Sequence, residues 1–197
     1  RRPKFVVHLG DHYDMPSLSV YASAKEAQNR SIGQDIEAGN DGIDRLMAPI
    51  RKVRGYKPRL IFCMGNHENR LDKHIDANPR DDRPPPPYNL AEYGWEVHPF
   101  LEVVTVLGVS FSHFFPRGPS GRVTQTRNGA PNALHMIKRE MKSCVAGHLQ
   151  GLDVAIYHTG DRTLRGIIAG SCYLHEEPYL SAQGNRHWMG IIEMNEV

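Results

Sequence analysis

Residues 59–70, which read RLIFCMGNHENR, carry the pattern on which the fold prediction for this chain rests. The first six residues form a short apolar run rich in strand-forming side chains, and Gly65 closes it. A polar cluster follows at once, with Asn66, His67 and Glu68 in consecutive positions. The stretch therefore predicts a buried strand that ends at a loop carrying side chains able to do chemistry.

The same pattern occurs nearer the N-terminus, where residues 5–14 read FVVHLGDHYD. A short apolar run again ends at a glycine, Gly10, and the acidic residues Asp11 and Asp14 follow it. Between the two stretches, apolar residues recur at intervals of three, four and seven over about 25–50, which predicts an amphipathic helix. Strand, helix and strand in this order predict two neighbouring parallel strands.

The second half of the chain has a more antiparallel character. Residues 100–115 alternate in polarity and turn at Leu107–Gly108, which predicts a hairpin whose second strand leads to His113. Further elements are predicted as strands at 143–146, 154–158, 164–169 and 189–194 and as a short helix at 131–141. No internal repeat and no boundary is visible, so we predict one domain over 1–197 of the α/β (α+β) class.

Composition excludes several classes of function. The chain has 197 residues with a formal net charge of +2, so no overall basic field predicts binding to nucleic acid or acidic membranes. No apolar run reaches the roughly 20 residues of a membrane-spanning helix, which predicts a soluble chain with no membrane partner. Three widely spaced cysteines, Cys63, Cys144 and Cys172, are interpreted as buried free thiols of a reducing compartment, here the cytoplasm.

Four predicted strand ends each deliver a side chain of the kind that binds metal ions. They are Asp11, Asn66 with His67, His113 and His148. Since the ends of parallel strands meet at one edge of a sheet, such residues are expected to converge although they are far apart in sequence. Carboxylate, carboxamide and imidazole ligands together suit Mn²⁺, Fe or Zn²⁺, and a shared carboxylate can bridge two ions.

The ordered set Gly10-Asp11-x-x-Asp14, Gly65-Asn66-His67-Glu68, a lone His113 and Gly147-His148 resembles the signature of the calcineurin-like metallophosphoesterases. The tail over 170–188 is similar to the phage and bacterial branch, which implies the cytoplasm of a bacterial or phage-infected host cell. The resemblance implies a two-sheet β-sandwich flanked by helices and hydrolysis of phosphate esters. It also implies two divalent ions in the intact enzyme, with Mn²⁺ expected first and Fe, Zn²⁺ or Mg²⁺ as alternatives.

The resemblance assigns a role to each matching residue. Asp11 becomes the bridging carboxylate, and Asn66, His113 and His148 complete one metal site. His67 becomes the catalytic histidine, which stabilises charge or protonates the leaving oxygen.

Three further residues are assigned with an alternative beside each. Asp14 either orients His67 or is structural. Arg70 either contacts the substrate phosphate or is a solvated helix charge. His158 either lines the phosphate pocket or is an ordinary surface residue.

Two departures from the family pattern stand out. The family begins with an Asp-x-His motif that supplies ligands to the other metal, and residues 1–9 do not contain it, so we expect a chain that lacks its first strand. Gln150 stands where the family has a second histidine, and its amide oxygen is a weaker, neutral ligand.

The substrate class is left open between a phosphodiester and a phosphomonoester. A basic loop over 117–127, a rim over 80–87 and the aromatic residues Tyr13, Phe114, Phe115 and Trp188 would suit a nucleotide or nucleic acid, which we place ahead of a phosphoprotein. The alternative is a catalytically weak metal- or nucleic-acid-binding domain on the same fold. The sequence does not predict an oligomeric state.

Overall fold

A computed structural model describes residues 2–20, 30–79, 88–117, 122–123, 132–173 and 187–195, without the side chains of 117, 122 and 123. Within these residues the chain has three α-helices and ten β-strands, which confirms the predicted mixed α/β class. The chain divides into two compact units, Arg1–Glu102 and Val103–Val197. Two compact units can belong to one domain, so the prediction of a single domain over 1–197 stays a prediction.

The first unit is built on a parallel three-stranded sheet. Its strands are β1 (Phe5–His8), β2 (Arg59–Cys63) and β3 (Glu96–His98), in the order β1-β2-β3. The parallel pairing of β1 and β2 confirms the prediction from their apolar runs. The sequence did not predict β3, because two of its three side chains are exposed and its apolar content is low.

Two α-helices accompany this sheet. Helix α1 (Ile32–Arg51) begins at Ser31, whose hydroxyl accepts a hydrogen bond from the amide of Gln34 at 3.2 Å. Its buried positions follow helical spacing and include Gly39, where a Cβ atom would collide with the Tyr13 ring. Helix α2 (Glu68–Ala77) follows the Gly65-Asn66-His67 stretch and was not predicted, because its residues are mostly polar and Leu71 is its only buried apolar one.

The core of the first unit lies between α1, the sheet and the loop after β1. Short 3₁₀ turns at Pro16–Leu18 and Asn89–Tyr93 flank it. The buried members are Tyr13, Met15, Ile36, Ile43, Met47, Leu60, Phe62, Leu71, Leu90 and Trp95. Two of these belong to the loop that also carries Asp11, so the hydrophobic effect helps to fix that loop.

The second unit contains a mixed five-stranded sheet in the order β4-β5-β8-β10-β9. The strands are β4 (Val104–Val106), β5 (Val109–Ser112), β8 (Cys144–Ala146), β9 (Leu152–His158) and β10 (Thr163–Ala169), and β6 (Pro116–Arg117) and β7 (Arg122–Val123) form a separate pair. The predicted hairpin turn is confirmed, with positive φ at both Leu107 and Gly108. Strand β8 pairs in parallel with both of its neighbours, so this half is less antiparallel than predicted.

Helix α3 (Ala133–Glu140) packs against this second sheet and confirms the predicted short helix. The Asn132 side chain caps it by accepting a hydrogen bond from the amide of His135 at 2.9 Å. Its buried face joins strands β8 and β10 in a small core. The members are Phe115, Ala133, Met136, Ile137, Cys144, Ala146 and Ile168.

Two predictions for the second unit are wrong. Residues 189–194 do not form a strand, and only Met189 forms a bridge, with Ser171, because Ile191 and Met194 are exposed. Cys172 is exposed, whereas Cys63 and Cys144 are buried as predicted. Burial raises the pKa of each buried thiol to about 12, which disfavours the thiolate that a cysteine nucleophile would need.

No helix among the described parts of the chain combines the length and the apolar character needed to cross a bilayer.

Candidate functional site

In the first unit, the loops after β1 and β2 begin at the same edge of the sheet. The two strands are parallel and pair in register, with Phe5 opposite Arg59 and His8 opposite Phe62. Asp11 and Asp14 lie on the first loop, and Asn66 and His67 lie on the second. The structure therefore brings together four of the predicted site residues, as the strand pattern implied.

Two glycines allow the loops to approach each other closely. Gly10 has a φ of 87°, and a Cβ atom on it would collide with the backbone of Gly65 and the carbonyl of Cys63. A Cβ atom on Gly65 would in turn collide with the Asp11 carboxylate and amide. The glycine before each predicted ligand is thus a steric requirement of this site.

Glu68 is the residue that fixes the two loops, and the sequence analysis assigned it no role. Its carboxylate is fully buried and accepts four backbone hydrogen bonds. The donors and distances are the amides of Asp11 at 2.9 Å, His12 at 2.7 Å, Tyr13 at 2.9 Å and Gly65 at 2.7 Å. A carboxylate in the last position of the Gly-Asn-His-Glu stretch was the available signal, because an acid there can reach turn amides of a preceding loop.

His67 is held by the two aspartates of the first loop. Its backbone amide donates to Oδ1 of Asp11 at 3.0 Å. Its Nδ1 lies 2.7 Å from Oδ1 of Asp14, and its Nε2 lies 3.9 Å from Oδ2 of Asp11. The hydrogen bond with His67 lowers the pKa of Asp14, against the opposing effect of burial. Of the two roles left open for Asp14, the geometry matches orientation of His67.

Arg70 contacts the backbone of the first loop. Its Nη1 donates to the carbonyl of Asp14 at 2.8 Å and to that of Met15 at 3.4 Å. The guanidinium therefore helps to hold this loop, a structural role that the sequence analysis did not include. A guanidinium has five N–H donors, so a contact with substrate phosphate is compatible with these bonds.

In the second unit, His113 and His148 follow two neighbouring parallel strands. Strands β5 and β8 pair with Ser112 opposite Ala146, so both histidines stand at the same edge of the sheet. Nε2 of His113 lies 3.1 Å from Nδ1 of His148, with the ring planes at 78°. The amide of Gly147 donates to the carbonyl of His113 at 2.9 Å, which ties the two strand ends together.

These two imidazoles fit one metal ion. Two nitrogens bound to zinc at 2.0–2.1 Å with tetrahedral geometry lie roughly 3.3 Å apart, close to the separation between these two rings. Each histidine can offer one ring nitrogen. His148 has a φ of 64°, a left-handed conformation that non-glycine residues adopt mainly where the surrounding structure or a function requires it.

Gln150 lies in a hydrogen-bonded chain of the second unit. Its amide nitrogen donates to the Tyr173 hydroxyl at 2.9 Å, and that hydroxyl lies 3.5 Å from Nε2 of His187. Neither aromatic partner was assigned a role from the sequence, because nothing in their local pattern places them beside Gln150. In a carboxamide the oxygen is the atom able to bind a cation, and the nitrogen donates hydrogen bonds.

His158 is not brought to His113 and His148, the two predicted metal ligands of its unit. It pairs with Thr163 at the start of β10, whereas Ala146 of β8 pairs with Ile168 near the end of β10. Thr163 and Ile168 are five residues apart along β10, so His158 and Ala146 lie roughly 16 Å apart in the direction of the strands. The exposed ring of His158 instead hydrogen-bonds the Thr163 hydroxyl at 3.0 Å, which agrees with the surface alternative.

The features suggested for nucleic-acid binding are only partly described. The rim over 80–87 and most of the basic loop over 117–127 lie outside the described residues. Tyr13, Phe114 and Phe115 are buried in the protein, so they are not surfaces for base stacking, while Trp188 is partly exposed.

Comparison with known proteins gave no match: no family model, no curated protein and no solved structure is similar to the chain.

Proposed function

We propose that this chain is a metal-dependent phosphoesterase, which hydrolyses a phosphodiester or phosphomonoester with water as the nucleophile. The proposal includes the calcineurin-like architecture of two sheets packed as a sandwich, which the resemblance implied. A substrate of nucleotide or nucleic-acid type belongs to the same proposal. So does a reducing cytoplasm, with which the free thiols Cys63 and Cys144 are consistent.

The observation that carries this proposal is the position of His67 between two carboxylates. Asp14, whose Oδ1 lies 2.7 Å from Nδ1, is placed to fix the orientation of the ring. Nε2, the other nitrogen, lies toward Asp11, the predicted bridging ligand. His67 can then donate its Nε2 proton to the leaving oxygen of the ester, which is general acid catalysis.

The donor set also fits a metal ion. In the second unit, the His113 and His148 nitrogens have the separation of two ligands of one ion. The resemblance also counts the oxygen atoms of Asp11 and Asn66 among the metal ligands and gives Asp11 a bridging role. A bound divalent ion, with Mn²⁺ expected first, would supply a Lewis acid for the phosphoryl group and lower the pKa of water.

One observation favours the alternative of a catalytically weak metal- or nucleic-acid-binding domain. Gln150, at the position where the family has a histidine ligand, donates its amide nitrogen to Tyr173. A neutral amide oxygen binds a second ion less strongly than an imidazole does. A chain that holds one ion firmly and the other weakly would bind phosphate groups but hydrolyse them slowly.

Metal counting and a hydrolysis assay together distinguish the two. After dialysis into Mn²⁺, native mass spectrometry of the wild type is expected to show bound manganese. His148→Ala is expected to lose it, and His135→Ala, which changes an exposed histidine of α3 in the same unit, is expected to retain it. Hydrolysis of bis(p-nitrophenyl) phosphate is expected in the wild type. With diphenyl phosphate, whose more basic leaving oxygen needs a proton, kcat is expected to be at least about 100-fold lower in His67→Gln.

Retention of manganese without hydrolysis in the wild type would support the binding alternative. Equal manganese in His148→Ala and the wild type would contradict the proposed ligand set. Equal kcat for diphenyl phosphate in His67→Gln and the wild type would remove His67 from the mechanism.

A further inference from the structure

An open groove of about 400 Å³ lies in the first unit beside Asn66, a predicted metal ligand. It is lined by Leu18, Val20, Asn66, Arg70, Lys73 and His74. Its volume falls within the range of about 300–1,000 Å³ that is typical of small-molecule sites. All of these residues belong to the unit that also holds His67 and Asp14.

One wall of the groove is a cationic face of helix α2. Arg70, Lys73 and His74 are spaced by three and four residues, so their side chains lie on one side of the helix. Arg70 and Lys73 contribute two formal positive charges, and His74 can add a third. None of the described residues lining the groove is acidic, so this wall favours an anionic ligand.

The groove lining also includes two apolar side chains, Leu18 and Val20. Val20 is 88% exposed, an unusual state for a valine, and Leu18 beside it is half-buried. A ligand that covers these side chains would remove apolar surface from water. The groove thus favours a ligand that has both negative charge and an apolar part.

The groove also has a direction. Arg70 lies nearest the predicted catalytic loop, because its guanidinium donates to the carbonyls of Asp14 and Met15. Lys73 and His74 follow about one helical turn later, roughly 5 Å further along the axis. A ligand whose reacting phosphate lies near Asn66 would therefore place its next anionic group against Lys73 and His74.

We propose that this groove binds the part of a substrate that carries a second phosphate, linked through a nucleoside to the reacting one. Lys73 binds the second phosphate as a point charge, the His74 ring donates a hydrogen bond to it, and Leu18 and Val20 contact the sugar and base. The second phosphate can come from a nucleoside 3′,5′-bisphosphate or from a nucleic-acid strand. The identification of the reacting phosphate rests on the proposed function, whereas binding in the groove can be tested without it.

Binding can be measured in metal-free buffer at low ionic strength. The probe is a fluorescein-labelled thymidine octanucleotide followed by fluorescence anisotropy. Lys73→Gln is expected to raise the Kd about threefold to tenfold. Lys52→Gln, an exposed lysine at the end of α1 in the same unit, is the matched control and is expected to leave the Kd unchanged.

The same measurement can overturn the proposal. Equal Kd values in Lys73→Gln and the wild type, or an equal rise in both variants, would show that the groove does not bind the probe. Displacement of the probe by hexaglutamate as readily as by unlabelled octanucleotide would reject a nucleotide ligand in favour of an acidic peptide. Displacement by thymidine 3′,5′-bisphosphate, or by the octanucleotide alone, supports the proposal and identifies the source of the second phosphate.

The wild type's hydrolysis of bis(p-nitrophenyl) phosphate with Mn²⁺ tests the proposed function separately, because this ester has no second phosphate. Hydrolysis of this ester, with no rise in Kd for the octanucleotide in Lys73→Gln, would reject only the proposal that the groove binds a second phosphate. That rise in Kd without hydrolysis would reject the phosphoesterase and retain a nucleotide-binding groove.

Discussion

The predicted site residues of the two units are held in place by different means. In the first unit they lie on loops, and the buried carboxylate of Glu68 fixes those loops through four backbone amides. In the second unit His113 directly follows β5, and His148 lies two residues beyond β8. The parallel pairing of these strands, with the Gly147 amide bonded to the His113 carbonyl, sets their positions. A loop needs an added side chain to define its shape, whereas a strand end inherits its position from the ladder of hydrogen bonds.

The units nevertheless share one local feature. Asp11 and His148 each follow a glycine and each have positive φ, 53° and 64°. This conformation costs roughly 1–2 kcal/mol per non-glycine residue, so the surrounding structure must compensate for it. Both residues are predicted metal ligands, and backbone strain of this kind is common at functional sites.

Replacing the Glu68 carboxylate should have the largest effect on the free energy of unfolding. It would test directly whether the site loops of the first unit depend on this side chain. Glu68→Gln replaces one acceptor oxygen with an N–H₂ group that faces backbone donors in a fully buried position. We expect the free energy of unfolding to fall by about 3 kcal/mol, measured by urea denaturation. Glu37→Gln, an exposed position on α1, is the control and should change it by less than about 0.5 kcal/mol.

A loss of less than about 1 kcal/mol in Glu68→Gln would contradict the view that the buried carboxylate organises the first unit's loops. Glu68→Asp keeps the carboxylate, but it is not expected to retain the stability that Glu68→Gln loses, because the shorter side chain cannot reach all four amides.

The close approach of the two loops can be tested at Gly65. In Gly65→Ala the added methyl group would collide with the carboxylate and amide of Asp11, so we expect a loss of about 2 kcal/mol in the free energy of unfolding. Gly33→Ala on α1 has open space around it and should instead stabilise the protein by about 0.5 kcal/mol. Similar results for the two variants in urea denaturation would show that the loops can move apart at little cost.

In a turn of the second unit, by contrast, one substitution should raise the free energy of unfolding. Leu107 is exposed and has a φ of 48°, followed by Gly108 at 78°, which are the signs required by a type I′ hairpin turn. Leu107→Asn is therefore expected to raise the free energy of unfolding by about 0.5 kcal/mol. Leu107→Val should lower it, since a β-branched residue resists positive φ, and an equal effect of both would disprove the turn assignment.

The exposed Asp14–His67 pair should contribute least to stability, which sharpens the contrast with Glu68. The pKa of Asp14 is lowered by its hydrogen bond to His67, so His67→Gln should raise this pKa toward its ordinary value. Carboxyl ¹³C NMR across an acid titration would measure the change, and His98→Gln in the same unit should leave it unaffected.

The sign of the stability effect follows from the lowered pKa. The pair stabilises the folded state above the ordinary pKa of aspartate, and this contribution is lost as the pH falls through the lowered pKa of Asp14. Because the Asp14 side chain is 70% exposed, we expect a contribution of less than about 0.5 kcal/mol. A loss of stability in Asp14→Asn as large as that in Glu68→Gln would contradict this order.

Much of the arrangement was predictable from short patterns. Apolar runs closed by glycine located β1, β2 and β8, and the polar residues after them include the predicted ligands Asp11, Asn66 and His148, while His113 follows the second strand of the predicted hairpin. The turn at Leu107–Gly108 and the helix after Asn132 were predictable for the same reason, since local sequence restricts φ and supplies caps. Helix α2 was not predictable in this way, because Leu71 is its only buried apolar residue.

The end of the sheet at which a predicted site residue stands could be known only from the fold. His148 and His158 both follow apolar runs, yet only the pairing of β8, β9 and β10 shows that they stand at opposite ends of the sheet. The partners of Gln150, which are Tyr173 and through it His187, lie more than twenty residues away in sequence. No local pattern encodes such contacts.

The sequence by itself determined which residue types stand at the ends of which strands, because alternation, glycine and strand-forming residues act over a few neighbouring positions. The tertiary structure decided that Glu68, fifty-seven residues from Asp11, supplies the acceptor for that loop, and that Arg70 and Lys73 line the same groove as Val20. The physical reason is that hydrogen-bond partners and buried surface depend on which distant segments meet in space, whereas the patterns in a sequence report mainly local conformation and polarity.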